Sequence, residues 1–320
     1  MGIEKTITDK FKWILWLKVL VLVVCGWLIF EKITDPQRFG KEFVEMVSSA
    51  LDTTAILVLI GVLLLMPINW LLEALKWKIL ARPYSQISII EAYRGVLSGL
   101  SLGFATPHGI GDYAGRLLSL QGDARSQLLG SVWLGRVMQM SVTAIFGTIG
   151  IWFFVQKSTF QIPSINYWWW IIMGIGIILV LLLYQSKLKL FGQRIRYYFA
   201  YVLAYSWSDY VGVFMLSFGR YAVFSIQFLL ILNIFKIPLP ISILFAGVSW
   251  MFLMKSIVPS FNFLSDLGVR ELSVLTFFDL YKASQPAVLT SSLLLWSINI
   301  LLPVLIGLYF VLKLKIINNR

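Results

Sequence analysis

Six runs of Leu, Ile, Val, Phe and Trp, each near the length of a membrane span, constrain the fold of this chain most strongly. A transmembrane helix needs about 20 mainly apolar residues to cross the hydrocarbon core. The chain is 59% hydrophobic and only 13% charged, unlike a soluble domain, so we expect an all-α integral membrane protein. The six predicted spans are about Trp13–Phe30, Thr53–Leu72 with a helical continuation to Leu80, Gln127–Val155, Tyr167–Tyr184, Tyr210–Phe235 and Pro286–Leu312.

Two further apolar segments, Ser88–Leu120 and Ile241–Leu280, are interrupted by clusters of Pro, Gly and polar residues. Such clusters end one helix and begin another. Non-helical backbone at membrane depth is tolerated only where protein buries it or where it lines a cavity. We therefore predict two broken, re-entrant hairpins, with break residues Pro107, His108, Gly109, Gly111, Pro259 and Gly268.

The order of elements repeats along the chain, with Asp112 and Arg116 matching Asp266 and Arg270 at one common offset. Each half reads as a span, an interfacial helix, a span, a broken hairpin and a span. Three crossings per half would make the halves inverted repeats within one transmembrane domain. The predicted domain covers residues 1–320, with repeat one at about 11–156, repeat two at about 167–315, and interfacial helices at Phe39–Leu51 and Leu188–Ser206.

The chain carries 27 Lys and Arg against 15 Asp and Glu, a net charge of +12. In a membrane protein this excess indicates cytoplasmic loops that face anionic lipid, and not a nucleic-acid partner. If the hairpins do not cross fully, the distribution of basic residues predicts that both termini are cytoplasmic. We expect the membrane to be the bacterial inner membrane. The single His108 and single Cys25 argue against a metal centre, a catalytic triad or an intrachain disulfide. We expect no cofactor and no enzymatic activity.

The sharpest charged pattern is Asp-x-x-x-Arg after each break, at Asp112–Arg116 and at Asp266–Arg270. This spacing puts both groups on one helix face. One interpretation is that each Asp caps its helix and pairs with its own Arg. The other is that the two half-helix N-termini and their Arg side chains bind an anionic headgroup. Both can hold together, because an Asp can orient an Arg that binds.

Further charged residues fall at membrane depth, where they normally face the protein interior. We expect Glu271 to pair with Lys255 or Arg220, and Glu73 and Lys76 to be interfacial at the end of the second span. Arg136 and Arg220, near Gln139 and Gln227, are expected to form polar pairs between helices. The predicted headgroup-binding residues are Arg116, Arg270, Asp112, Asp266, Glu271, Arg136, Arg220 and Lys255.

The segment Pro259 … Asp266-Leu267-Gly268-Val269-Arg270-Glu271 resembles the Pro … Gly-x-Gly-Val-Arg-Glu signature of the transmembrane region of lysylphosphatidylglycerol synthase/flippase proteins. Thr106–Asp112 followed by Arg116 resembles the Pro-x-x-x-Gly-Glu/Asp … Arg stretch of their first half. Ser265-Asp266 replaces the usual Gly-Gly, and the sequence to Arg320 contains no aminoacyl-transferase domain. The resemblance therefore implies the flippase activity, and not lysine transfer.

The resemblance implies movement of a phospholipid or lipid-linked headgroup between leaflets, by alternating exposure of a midplane cavity. A secondary transporter of a small anion and an accessory membrane subunit of lipid or glycolipid biosynthesis remain as alternatives. The expected partners are a lipid substrate and the membrane, with a homo-oligomer or a complex with a biosynthetic enzyme left open. No Gly-rich phosphate-binding loop occurs, which argues against ATP hydrolysis by this chain.

Overall fold

The computed structural model describes residues 52–106, 110–118, 128–158, 205–257 and 263–317. Within these ranges the regular structure is entirely helical. A π-helical turn, Ser297–Leu301, joins the last two helices into one long rod. The helices are α1 Thr53–Ala81, α2 Ile89–Ala105, α3 Ile110–Leu118, α4 Leu128–Lys157, α5 Trp207–Ile234, α6 Ile241–Ile257, α7 Phe263–Asp279, α8 Gln285–Trp296 and α9 Leu302–Ile317.

Among the described residues, α1, most of α4, α5 and the α8–α9 rod are long and apolar enough to cross a membrane. They confirm the predicted spans that begin near Thr53, Gln127, Tyr210 and Pro286, and the helical continuation of the first of these to Leu80. The predicted spans Trp13–Phe30 and Tyr167–Tyr184, the interfacial helix Phe39–Leu51 and nearly all of Leu188–Ser206 lie outside the described residues.

The surface of the bundle is apolar and part of its interior is polar. Leu64 is 65% exposed and Met215 is 54% exposed, whereas Asn69 and Gln227 are fully buried. Lipid accepts the apolar surface, and the buried polar groups must find partners inside the protein. With four membrane-length helices among its described residues, the chain is an integral membrane protein.

Local hydrogen bonds explain where several helices begin. Asp52 accepts a bond from the amide of Ala55 at 2.7 Å and caps α1. Ser88 with Glu91 forms a capping box at the start of α2, and Ser206 forms a similar one with an acidic residue at the start of α5. A capping box satisfies two backbone amides that the helix leaves without partners.

Contacts at the helix ends fix the relative directions of the long helices. Arg82, directly after α1, binds Asp209 in the first turn of α5 at 2.7 Å. Tyr205, directly before α5, shares a 2.7 Å hydrogen bond with Ser131 near the start of α4. Tyr281, directly before α8, donates to a backbone carbonyl near the end of α4. Helices α4 and α5 therefore run together, opposite to α1 and α8, as the predicted spans require.

The first hairpin, α2 with α3, is held by close backbone contacts at glycine positions. A Cβ atom on Gly115 would lie 2.3 Å from the amide nitrogen of Gly99, so only glycine permits this approach. A Cβ atom on Gly307 of α9 would lie 2.0 Å from the carbonyl oxygen of Leu97. The hairpin is thus packed tightly on itself and against the second half of the α8–α9 rod.

The break in the first hairpin is confirmed, because α2 ends at Ala105 and α3 begins at Ile110. The Thr106 hydroxyl donates to the carbonyl of Leu102 at 2.9 Å and accepts from the amide of Gly111 at 2.7 Å. This hydroxyl joins the two helix ends across the break. The other predicted break residues of this hairpin, Pro107, His108 and Gly109, lie outside the described residues.

The second hairpin, α6 with α7, packs against α4 beyond its middle. A Cβ atom on Gly150 would lie 2.4 Å from the amide nitrogen of Trp250, and the ring of Trp250 stacks on Phe154 at 4.0 Å between centroids. The prediction that Gly268 breaks this hairpin is wrong, because α7 already begins at Phe263. Glycine costs only about 1 kcal/mol inside a helix, and burial of Val274, Phe277 and Phe278 offsets it. Pro259 lies outside the described residues.

Candidate functional site

A cavity of about 310 Å³ lies where the two hairpins approach the long helices. Its lining comes from α1 to α8 and from the π-helical turn. Six of the predicted headgroup-binding residues line it, and Glu271 is not in its described lining; the six are Asp112, Arg116, Arg136, Arg220, Lys255 and Arg270. Among the described residues, the basic side chains that line it are Lys76, Arg116, Arg136, Arg220, Lys255 and Arg270, and the acidic ones are Glu73 and Asp112.

Glu73 of α1 is the centre of the ionic network, and it is only 4% exposed. Its Oε1 accepts from Arg116 at 2.9 Å, and its Oε2 accepts from Lys76 and from Arg220 at 2.6 Å each. A buried carboxylate is tolerated when its oxygens are bonded to opposite charges. Here one acid compensates three cations from three different helices, which ties α1, α3 and α5 together.

Asp112 extends this network to the edge of the cavity. Its Oδ1 accepts from Arg116 Nε at 2.9 Å, which confirms the predicted pairing of the Asp with the Arg four residues later. Its Oδ2 accepts from Arg136 of α4 at 3.0 Å. The Arg116 guanidinium therefore bridges two carboxylates, whereas the Arg136 side chain, 45% exposed, lies at the edge.

Aromatic rings hold two of the guanidinium groups in place. Arg220 lies 4.8 Å from the ring centroid of Trp70 and 5.5 Å from that of Phe224. Arg136 lies 4.5 Å from the ring of Tyr113. A planar cation on an aromatic face gains attraction and loses rotational freedom. These positive charges are therefore fixed before any ligand enters.

The π-helical turn contributes Asn299 and Ile300 to the cavity wall. Pro303 has no amide hydrogen, so the carbonyl of Asn299, four residues earlier, lacks its helical donor. The indole of Trp70 donates to that carbonyl at 3.2 Å. One proline thus explains both the disturbed helix and the hydrogen bond that anchors α1 to it.

In the second hairpin, Arg270 binds the carboxylate of its neighbour Glu271. Ser292 of α8 donates to the same carboxylate oxygen at 3.0 Å. The prediction that Glu271 pairs with Lys255 or Arg220 is wrong, because its ion pair in the structure is with Arg270, and Arg220 binds Glu73. The side chain of Asp266 lies outside the described residues.

The prediction that Glu73 and Lys76 are interfacial is also wrong, since they are 4% and 2% exposed inside the bundle. The sequence contained a signal for this, because the span that begins near Thr53 was expected to continue as a helix to Leu80, which places both residues inside the helix. Their i, i+3 spacing also puts them on one face. Asn69, one turn before Glu73, accepts from Arg220 Nε at 2.9 Å and was likewise missed.

Long apolar helices, two hairpins and a charged cavity among them define a polytopic membrane protein with a polar interior site. The sequence matches the lysylphosphatidylglycerol synthase TM region family over residues 15–307, so the chain belongs to that family. A comparison with curated proteins found no match.

Proposed function

We propose that this protein translocates a phospholipid or lipid-linked headgroup between the two leaflets, and that the cationic cavity holds the headgroup phosphate. The observation that carries the proposal is the excess of basic side chains among the described residues that line one cavity at the hairpins, six bases against two acids. The family match supports a role in lipid handling. Guanidinium groups suit a phosphate because their paired donors match its oxygens.

The mixed character of the cavity wall supports a lipid over a small soluble anion. A headgroup stays attached to acyl chains, so its path must be polar inside and apolar at the margin. Apolar side chains supply much of the wall beside the charges: Trp70, Leu100, Phe224, Phe252, Leu295, Trp296 and Ile300. The half-exposed Arg136 provides a first contact for a phosphate that enters from the edge.

The order of described helices supports the inverted-repeat part of the proposal. Helices α1, α2 and α3 have 29, 17 and 9 residues and precede the long α4. Helices α5, α6 and α7 have 28, 17 and 17 residues and precede the long α8–α9 rod. Two such halves in opposite orientation would expose one cavity alternately to each side of the membrane, with cytoplasmic termini as the charge distribution favours.

We expect the double variant Arg116→Gln, Arg270→Gln to abolish translocation of fluorescent phosphatidylglycerol in proteoliposomes. Both guanidinium groups line the cavity, one from each hairpin.

Because Arg116 and Arg270 are buried in ion pairs, the single variant Arg136→Gln is the test that disturbs the folded structure less. Loss of one charge-assisted hydrogen bond costs about 1.5–3 kcal/mol, so the rate should fall about ten- to a hundredfold.

The matched control is Arg82→Gln, an arginine outside the cavity whose side chain is 64% exposed and paired with Asp209. Its translocation rate should equal that of the unaltered protein. Equal rates for Arg136→Gln, the double variant and the control would remove these arginines from the transport path. Absence of translocation by folded, unaltered protein for every lipid tried would contradict the proposed function itself.

A further inference from the structure

We infer that the headgroup this site takes carries a net negative charge with no compensating amine. The inference rests on the proposed function and names its substrate class. A cationic headgroup, such as an aminoacylated one, would need carboxylates with open oxygens facing the cavity. An anionic headgroup needs the reverse, an excess of positive donors. The described residues that line the cavity meet the second requirement.

Both carboxylates that line the cavity are already saturated by protein cations. Glu73 receives Arg116 on one oxygen and Lys76 with Arg220 on the other. Asp112 receives Arg116 on one oxygen and Arg136 on the other. An incoming ammonium group would have to displace a guanidinium from a buried ion pair, and it would face the remaining cations as like charges.

The positive excess persists when neighbouring acids are counted. In the part of the chain that the structure describes, six basic side chains line the cavity against two acidic ones. Adding Glu271 and Asp266 of α7 makes four acids, still fewer than the six bases. Charges in a low-dielectric interior are costly until compensated, so each negative charge on a ligand is attracted by this excess. Affinity should therefore rise with the negative charge of the headgroup.

Glu271 is the strongest counter-argument. Its Oε2 is buried and has no hydrogen-bond partner among the described residues, so it could receive an amine. Glu271 does not line the cavity, however, and Arg270, which does, is bonded to its other oxygen. An amine that approached it from the cavity would come within reach of that guanidinium. The carboxylate serves Arg270 and Ser292 and not the cavity.

The test compares four lipids with the same fluorescent acyl chain in proteoliposomes of the unaltered protein. They are phosphatidic acid, phosphatidylglycerol, phosphatidylethanolamine and lysylphosphatidylglycerol. We expect rates in that order, with phosphatidylglycerol at least about tenfold faster than lysylphosphatidylglycerol, which corresponds to about 1.4 kcal/mol. Equal rates, or faster movement of lysylphosphatidylglycerol, would overturn the inference and leave lipid translocation itself intact.

A second arm separates a lipid headgroup from a free anion. Glycerol 3-phosphate and ethanolamine are added to detergent-solubilised protein, and the thermal midpoint is measured. Stabilisation by glycerol 3-phosphate alone supports an anion site. If no lipid moves in the first arm but glycerol 3-phosphate alone stabilises the protein, the proposed function fails. The inference that the site binds a negatively charged group is still supported. Stabilisation by ethanolamine alone would contradict the inference that the bound group is negatively charged.

A variant pair reports on the cavity charge directly. Lys255→Glu changes a lining residue of α6 from positive to negative and should lower the phosphatidylglycerol to lysylphosphatidylglycerol rate ratio at least threefold. Lys157→Glu makes the same change at an exposed position at the end of α4, outside the cavity lining, and should leave the ratio unchanged. Equal ratios in the two variants would overturn the inference.

Discussion

Replacement of Glu73 by Gln should destabilise this protein more than any other conservative single substitution in the described network. The carboxylate compensates Lys76, Arg116 and Arg220, and an amide would leave these cations facing one another in a buried space. Removing one partner of a buried ion pair costs about 3–5 kcal/mol. We expect a markedly lower thermal midpoint in detergent and reduced yield of folded protein.

Two further variants isolate the cause of this loss. Glu91→Gln makes the same chemical change at an exposed capping position and should alter stability by no more than about 0.5 kcal/mol. The double variant Glu73→Gln, Lys76→Met removes one acid with one base and should recover part of the lost midpoint. A Glu73→Gln midpoint equal to that of Glu91→Gln would contradict the role of Glu73 as the shared counter-charge.

Substitution of Gly307 by Ala should separate the first hairpin from the α8–α9 rod. The added Cβ atom would lie 2.0 Å from the carbonyl oxygen of Leu97 and 2.3 Å from the hydroxyl oxygen of Ser101. The first contact is with backbone, which cannot rotate away, so the helices must move apart. Overpacking of this kind lowers the stability of the folded protein by about 1–3 kcal/mol or more. The shifted hairpin would also move Arg116 away from Glu73, its ion-pair partner.

The matched control is Gly61→Ala in α1, where an added Cβ atom meets nothing within 4 Å. That variant should keep both the thermal midpoint and the translocation rate of the unaltered protein. Gly307→Ala should lower both. If the two variants behave alike, the close approach between α2 and α9 does not support the cavity.

Sequence periodicity and composition were enough to locate the long helices. Membrane-length apolar runs depend only on local composition, so the helices that begin near Thr53 and Tyr210 could be predicted within a few residues. The break at Thr106–Gly111 was also predictable, because Pro and Gly act through local backbone geometry. The second break was predicted to extend too far, to Gly268, because the helix α7 already begins at Phe263 and includes that glycine.

The ionic partners could be predicted only where they are close in sequence. Asp112 and Arg116 are one helical turn apart, and the spacing alone indicated their pairing. The bonds from Arg116 and Arg220 to Glu73 join residues far apart in sequence, and periodicity does not specify how α1, α3 and α5 are rotated against one another. The inverted repeat and the headgroup role of the lining residues stay predictions.

The loss of a regular hydrogen-bond ladder at Pro303 has a mechanical consequence. On one side of the π-helical turn, α8 packs with α7 of the second hairpin; on the other, α9 packs with α2 of the first. The rod therefore contacts both hairpins, and the irregular turn between its two halves lies in the cavity wall. Small dihedral changes within Ser297–Leu301 would change the angle between the two halves of the rod, and with it the tilt of one hairpin against the other.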